Sequence, residues 1–434
     1  MTGRVAPVAS GRGERHVGSN RAYSMKSYSR LWKHLCSFEN LEIAYWNARK
    51  HKTMNPRVQE FDKHWRLNLC TLYRELRTKT YKPRPLRKFI LRDPKTRTIC
   101  VSDFRDRIVH HALINVLHPI FDPRFISDSF ASRRLKGTLP ALERFDVFKR
   151  RATRNGTCRV YVLKCDIKHY FETVNHEVLL NILRERVHDP EVEWLIRLIL
   201  ENHETDIPDT GMPLGNWTSQ FFANIYLDKV DQFAKHELKA KYYIRYVDDF
   251  VILHESREVL EVFREAIKEK LAELKLELHP NKCTITSLHR GASFLGFRVF
   301  YQYKLVRLRN KRKVERRIAE LINKHELGLI TADRVLDSIR GWNAYAKHGN
   351  TYRLRTKLTQ YAVNHLAKAS VSREPTPNWC GVKDVVKRHA RLFPYRNKSL
   401  DKKAAYRHKE KVCEITGQSP SHPQTLKHAQ KSPC

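Results

Sequence analysis

Two adjacent carboxylates, Asp248 and Asp249, sit in the run KYYIRYVDDFVILHE between Lys241 and Glu255. Ile244, Tyr246 and Val247 precede them and Phe250 to Leu253 follow, so the pattern places the pair where two short apolar strands meet in a hairpin. Acids at such a junction are costly unless something cationic fills the gap. A third carboxylate, Asp166, closes the strand-like stretch Val160 to Cys165 in VYVLKCDIKHYFETVNH, just before a segment that reads as helical. Three carboxylates from two strands would make a two-metal site. Hard divalent ions take oxygen ligands, and a pair about 3.5–4 Å apart stabilises both the attacking and the leaving oxygen of a phosphoryl displacement. The competing reading of an Asp-Asp pair is a solvated hairpin tip, since turns favour Asp for its own backbone bonding. The flanks here are too apolar for that.

The elements that must position these acids can be read around them. From Tyr28 to about Leu76, apolar residues such as Leu31, Leu35, Phe38, Leu41, Ala44 and Tyr45 recur at helical spacing, and Tyr81-Lys82-Pro83 closes the region. In RKFILRDPKTRTICVSDFRDRIVHHAL, Phe89-Ile90-Leu91 and Ile99-Cys100-Val101 flank the turn signal Asp93-Pro94-Lys95, which predicts a hairpin with a basic tip and then a helix. Gly211, Pro213 and Gly215 punctuate a loop leading into the helix expected over TSQFFANIYLDKVDQFAKH. Small residues there allow close backbone approach to a nucleotide, and helix-start donors suit phosphate or ribose.

With 83 Lys and Arg against 46 Asp and Glu, the chain carries a formal charge of +37, so a polyanionic partner is expected before any motif is considered. Membrane is the competing partner, but no apolar run of about 18 residues and no signal-peptide core is present. Nine cysteines without a C-x-x-C pair argue for reduced thiols in a cytoplasmic setting. His110 and His111 are adjacent on a helical stretch, cannot share one helix face and so make a poor zinc pair.

Five blocks follow in order: Asp166 and its strand, GMPLGNWTSQFFANIYL (211–227), the Tyr246-Val247-Asp248-Asp249 hairpin, LHPNKC (278–283) and SFLGF (293–297). This series resembles the palm of reverse transcriptases over roughly residues 80–365. The resemblance implies an α+β right hand: a palm with an antiparallel sheet carrying the acids, helical and hairpin fingers, a helical thumb and a basic C-terminal extension. The corresponding boundaries are a disordered basic arm at 1–25, with a transit peptide as the alternative, helices and fingers at 26–155, palm at 156–300, thumb at 301–368 and extension at 369–434. It implies an enzyme that makes cDNA by attack of a primer 3′-hydroxyl on the α-phosphate of a dNTP.

By the same resemblance, Asp166, Ile167, Asp248 and Asp249 would hold two Mg²⁺ ions, with Mn²⁺ as the alternative, and Asp249 would be the less directly coordinated acid. Lys282 matches a Lys near the leaving pyrophosphate, although from sequence alone a lone surface Lys is the commoner explanation. Basic fingers residues that close on the triphosphate would come from Arg87, Lys88, Arg92, Arg105, Arg133 and Lys136. Phe171 matches the residue that excludes a 2′-hydroxyl, with Tyr170 beside it leaving the register open by one. Phe294, Leu295 and Gly296 resemble the primer grip. Where most group II intron and retroviral-type enzymes carry Gln-Gly and a Ser-Pro ending, this chain has Leu214-Gly215 and Ser219-Gln220. That form is similar to the reverse transcriptases of diversity-generating retroelements, in which the changed loop accompanies misincorporation opposite template adenines. Leu214 and Gln220 would then set fidelity; neutral drift in a helix-capping loop is the alternative.

Beyond Lys304 the chain reads as basic amphipathic helices with stripes at Val314, Ile318, Leu321 and Ile322, then Val335, Ile339, Trp342 and Tyr345. They resemble a thumb tracking the template-primer duplex, and GWNAYAKHGNTYRLR resembles the closing thumb segment of diversity-generating enzymes. In the tail, Trp379, Phe393, Tyr395 and Tyr406 interleave with Lys and Arg, which suits RNA. No His-Asn-His nuclease signature is visible there. The partners implied are a structured RNA template, a DNA or RNA primer, dNTPs and a small basic accessory protein, in a bacterium or on a phage or plasmid; oligomeric state is left open. An antiphage-defence or domesticated group II-like enzyme shares the same chemistry. A non-catalytic RNA-binding protein on a decayed scaffold would show a damaged acid set, and an RNA-dependent RNA polymerase would be hindered by Phe171.

Overall fold

The computed structural model describes residues 27–92 and 96–371. The expected basic arm, the turn centre Asp93-Pro94-Lys95 and the extension from 372 onward lie outside the described residues. Four helices open the described chain: α1 (Leu31–Leu35), α2 (Phe38–Arg49), α3 (Pro56–Lys63) and α4 (Trp65–Arg77). Ser37 caps α2 by accepting the Asn40 amide, and Asn55 with Pro56 starts α3. The stripe Leu41, Ala44, Tyr45 and Ala48 buries fully, and Tyr45 stacks on Trp65 at 5.4 Å between ring centres.

The hairpin follows as β1 (Arg87–Leu91) and β2 (Arg97–Val101), antiparallel from Arg87 opposite Val101 to Leu91 opposite Arg97. All of β1 is exposed. Asp103 accepts the Arg105 amide to start α5 (Phe104–Phe121), whose apolar residues run through the main core. Then come α6 (Thr138–Ala152), β3 (Tyr161–Asp166), α7 (Tyr170–Thr173), α8 (His176–Arg184), α9 (Pro190–Glu201), α10 (Trp217–Gln232) with a π-turn at Phe233–Glu237, β4 (Tyr242–Tyr246), β5 (Asp249–His254), α11 (Arg257–Glu273), β6 (Thr284–Ser287) and β7 (Ala292–Phe294).

Strands β4, β5, β3 and β6 form one antiparallel sheet in that order. Its central strands are apolar on both faces: Val162, Leu163 and Cys165 of β3 and Phe250 to Leu253 of β5 are all buried. Both faces therefore need cover, and α6 and α11 pack against the sheet together with α10 of the same core. Side chains alternate along each strand, so Lys164, Asp166 and Asp249 share one face while Cys165, Tyr243, Arg245 and Phe250 share the other.

The described residues divide into two compact units, and the division is interleaved: those up to Leu295 and the stretch Val299–Gln302 form the first, and 296–298 with the described residues from Tyr303 form the second. Within the first, the Tyr301 hydroxyl accepts the Val160 amide at 2.9 Å, at the start of the β3 segment. A short strand, β8 (Phe297–Val299), spans the crossing, and the second unit continues as β9 (Lys304–Val306), α12 (Leu308–Glu326), α13 (Ala332–Ala346) and α14 (Tyr352–Val371). Val314, Ile318 and Ile322 meet Val335, Leu336, Ile339, Leu358, Ala362 and Leu366 in its own core, with Leu321 and Trp342 partly buried against it. The two stripes expected from helical spacing are thus core, and Arg309, Arg312 and Arg316 line an open groove on α12. Leu295 (φ 42) and Gly296 (φ 88) make a left-handed two-residue turn, and a side chain at Gly296 would meet the Tyr345 hydroxyl.

Adjacent on α5, His110 and His111 are both held neutral. Burial pushes His110 down to about 3, with His111 and Arg107 adding, and His111 to about 4, with Lys52 and Arg107 adding. The unfolded chain takes up protons at an ordinary histidine value of 6.5, so stability is full above that pH and falls as pH drops toward the folded values. The expected loss for His110 alone is about 2 kcal/mol between pH 6.5 and 5. Urea unfolding of wild type and His110→Gln at those two pH values checks it; an equal pH response in both proteins would contradict it.

Candidate active site

Strand pairing brings the three acids to one end of the sheet. Asp166, the last residue of β3, is the register partner of Asp249, the first of β5, and the Ile167 amide donates to the Asp248 carbonyl at 3.3 Å. Burial, then repulsion from Asp166 and Asp249, raises the Asp248 carboxyl to about 6, with Arg97 of β2 opposing. Each of the other two acids already meets a lysine. Lys282 Nζ donates to Asp166 Oδ1 at 2.6 Å, and Lys164 Nζ lies 2.9 Å from Asp249 Oδ1 as a charge contact outside the aligned hydrogen bonds. Among the described residues no three His, Cys, Asp or Glu side chains converge on one point. The three acids thus share one sheet end beside the Ile167 main chain, with Asp249 facing Lys164. Those donors fit a hard divalent cation: they are oxygens, and burial and the neighbouring acids disfavour the ionised form of Asp248 more than Arg97 favours it, so an ion would add the positive charge it needs.

The residue before Asp248 is strained. Val247 takes φ 57, which a β-branched side chain adopts at a cost. Cys165 on β3 and Cys283, the residue before β6, face each other with sulfurs 2.8 Å apart, a pair that sequence spacing hid because the two segments are distant in the chain.

The two aromatics after Asp166 differ in exposure. Tyr170 is buried and donates to the Ala223 carbonyl at 2.8 Å, whereas Phe171 is only partly buried. The Phe171 carbonyl accepts the Met212 amide at 2.6 Å, the Val174 carbonyl accepts the Gly211 amide at 2.8 Å, and the Cys100 amide donates to the Leu214 carbonyl at 2.8 Å. The 211–215 loop is thus tied on one side to the Phe171 turn and on the other to β2. Gly215 is required where it stands: at φ 120, a Cβ would lie 2.9 Å from the Ile99 side chain and 3.1 Å from the Cys100 carbonyl. Exposed Gln220 accepts from the Ser132 hydroxyl at 2.9 Å.

The basic candidates separate into two groups. Arg87, Lys88 and Arg92 are exposed on and just beyond β1, with Lys88 3.5 Å from Glu204. Arg133 and Arg105 are not presented as free donors. Arg133 binds Asp122 at 2.8 Å and the carbonyls of Ile126, Ser129 and Asp122, and Arg105 is ion-paired to Glu75 and reaches the Lys82 carbonyl. Lys136 donates to the Ser127 carbonyl at 2.7 Å over the Phe130 ring. Partly buried arginines already bonded within the fold look like any other basic residue in sequence. Lys164 and Arg97, which sequence reasoning passed over, are the cations nearest in charge to Asp249 and Asp248. Lys164 could have been found by its two-residue spacing from Asp166 on one strand face.

Residues 88–299 match the family model described as "Reverse transcriptase (RNA-dependent DNA polymerase)". The chain is 26% identical over 274 residues to protein YkfC of Escherichia coli (strain K12), covering 54% of this chain and 71% of that one. It is 24% identical over 344 residues to the group II intron-encoded protein LtrA of Lactococcus lactis subsp. cremoris, covering 62% of this chain and 56% of LtrA, so it spans just over half of that relative's length. A solved telomerase from Candida albicans, in complex with the TWJ fragment of telomeric RNA, overlaps 73% of this chain and 64% of its own at 10% identity with a TM-score of 0.40. No helix among the described residues is long and apolar enough to cross a membrane.

A buried carboxyl held near 6 takes up a proton more readily in the folded chain than in the unfolded one. Without a cation, stability therefore falls as pH rises from 3.8 toward about 6. With one, protons compete for the ligand. Mn²⁺ affinity, followed by electron paramagnetic resonance, is expected to weaken up to roughly tenfold per pH unit below about pH 6 and to level off above it. A flat affinity from pH 5 to 7 would separate Asp248 from the ion.

Proposed function

We propose that this chain, whose residues 88–299 are a reverse transcriptase domain homologous to group II intron-encoded proteins, works as an RNA-directed DNA polymerase on a right-hand fold. The observation that carries the reading is the meeting of Asp166 and Asp248 at one sheet end, with Asp249 beside them. Asp166 and Asp248, with the Ile167 main chain, would hold Mg²⁺ or Mn²⁺. When bound, such ions neutralise charge on the attacking and leaving oxygens of a phosphoryl transfer. Lys282, now on Asp166, would turn to a leaving pyrophosphate and give it a proton. Lys164 keeps the Asp249 charge compensated. Exposed Arg87, Lys88 and Arg92, joined by Arg97, would take the triphosphate. Phe171 would stand against the sugar and reject a 2′-hydroxyl, and Phe294, Leu295 and Gly296 would hold the primer.

The finer reading is an enzyme of the diversity-generating type that errs opposite template adenines. Leu214 supports it: its carbonyl ties the templating loop to β2, and the side chain stands where most relatives of the intron type carry a polar Gln. Gln220, anchored on Ser132, is the second fidelity position. Its partners would be a structured RNA template, a primer, dNTPs and a small basic accessory protein.

Primer extension on a defined RNA with Mg²⁺ and four dNTPs, sequenced product by product, tests both levels. Errors gathered opposite adenines are expected; a low, even spectrum would keep reverse transcription and favour the defence or domesticated reading. Asp248→Asn is expected to lower synthesis at least a thousandfold while RNA binding stays within about twofold. Retained synthesis would remove Asp248 from the chemistry. Phe171→Ala is expected to raise ribonucleotide incorporation relative to dNTP by at least about tenfold, a loss of roughly 1.4 kcal/mol of discrimination; an unchanged ratio would return Phe171 to the core.

A further inference from the structure

Beneath the acids, on the opposite face of the sheet, lies an ionic group that none of these roles uses. The side chains of Arg245 and Asp231 are 1% and 0% exposed. They meet fork to fork, Nε to Oδ1 at 2.7 Å and Nη2 to Oδ2 at 2.6 Å, and the Tyr243 hydroxyl adds a third bond to Asp231 at 2.7 Å. Arg245 Nη1 then donates to Asn224 Oδ1 and to the Val247 carbonyl, each at 3.2 Å. Its main chain is fixed as well, with the Arg245 amide on the Asp128 carbonyl and the Phe130 amide on the Arg245 carbonyl, both at 3.0 Å.

A buried ion pair is a poor source of stability, because removing two charges from water costs about what their attraction returns, and apolar residues of similar volume serve a core as well. What apolar residues cannot do is donate to the Val247 carbonyl. Val247 is the residue whose left-handed backbone sets the direction of the turn at Asp248, and a β-branched residue there stores strain that its surroundings must oppose. Asp231 fixes the guanidinium on a helix, α10, and the guanidinium fixes the turn.

We propose that Arg245, held by Asp231, is a positioning residue that keeps Val247 in its left-handed conformation and so aims Asp248 at the cation it shares with Asp166. This deepens the polymerase reading and rests on it. Two variants remove the grip on the turn: Arg245→Lys, and the pair Arg245→Met with Asp231→Asn, which leaves no buried charge alone and so protects folding, checked by circular dichroism. Glycine takes a left-handed conformation without strain, so Val247→Gly in either background removes the need for the clamp.

In either variant kcat is expected to fall at least tenfold, while KM for dNTP and affinity for template-primer stay within about twofold. Mn²⁺ binding to the full chain without nucleic acid should weaken at least fivefold. Val247→Gly should recover at least threefold in both kcat and Mn²⁺ affinity. Wild-type Mn²⁺ affinity in both variants, or no recovery on Val247→Gly, would overturn the proposal and leave the pair a core element. Should the wild-type chain make no DNA, the polymerase reading falls, and the Mn²⁺ titration with its glycine rescue still decides the role of Arg245.

Discussion

Like charges held at one end of a sheet are the constraint that the rest of the first unit answers. Asp166 and Asp249 are register partners and Asp248 sits in the turn beside them, so folding alone forces three carboxylates together. Nearby positive groups relieve part of this. Lys282 and Lys164 compensate the two acids at the strand ends, and Arg97 reaches Asp248 only through its field, against the burial and repulsion that raise that carboxyl. The acid without a lysine of its own is the one set in a strained turn over a buried clamp. Electrostatic demand and backbone precision coincide at the same residue.

Loop and hairpin form a second unit of design. The 211–215 segment has almost no secondary structure, yet its main chain is bonded at Phe171, Val174 and Cys100, and His176 closes it by donating to the Gly211 carbonyl at 2.8 Å. Asn216 completes the frame by accepting the Ser102 amide at 3.1 Å. Backbone bonds of this kind are indifferent to side-chain identity. The Leu214 side chain can therefore vary without loosening the frame.

Local pattern carried most of the architecture. Apolar runs flanked by turn residues marked β3, β4 and β5, and helical stripes marked α2, α5, α12 and α13, because each element buries a face that its own period reveals. Residues whose role depends on a distant partner were invisible. Arg133 reads as a basic surface residue until Asp122 and three carbonyls surround it, and Arg245 is one more basic residue in its strand until Asp231 meets it from α10. Lys164, Cys165 and Cys283 likewise acquire neighbours only through strand register. Composition says that charges are present, and topology alone says which of them are used up.

The interleaved boundary near residue 300 has a practical meaning for dissecting the molecule. Tyr301 belongs to the first unit, where its hydroxyl closes the entrance to the strand that ends in Asp166, although residues 296–298, which precede it in the chain, belong to the second. A single cut anywhere from 296 to 301 therefore strips the first unit of a piece of itself. Expressing the acid-bearing half alone calls for retaining the chain through Gln302, or for a circular rearrangement that keeps Val299–Gln302 attached, rather than for a truncation at the last residue of the sheet.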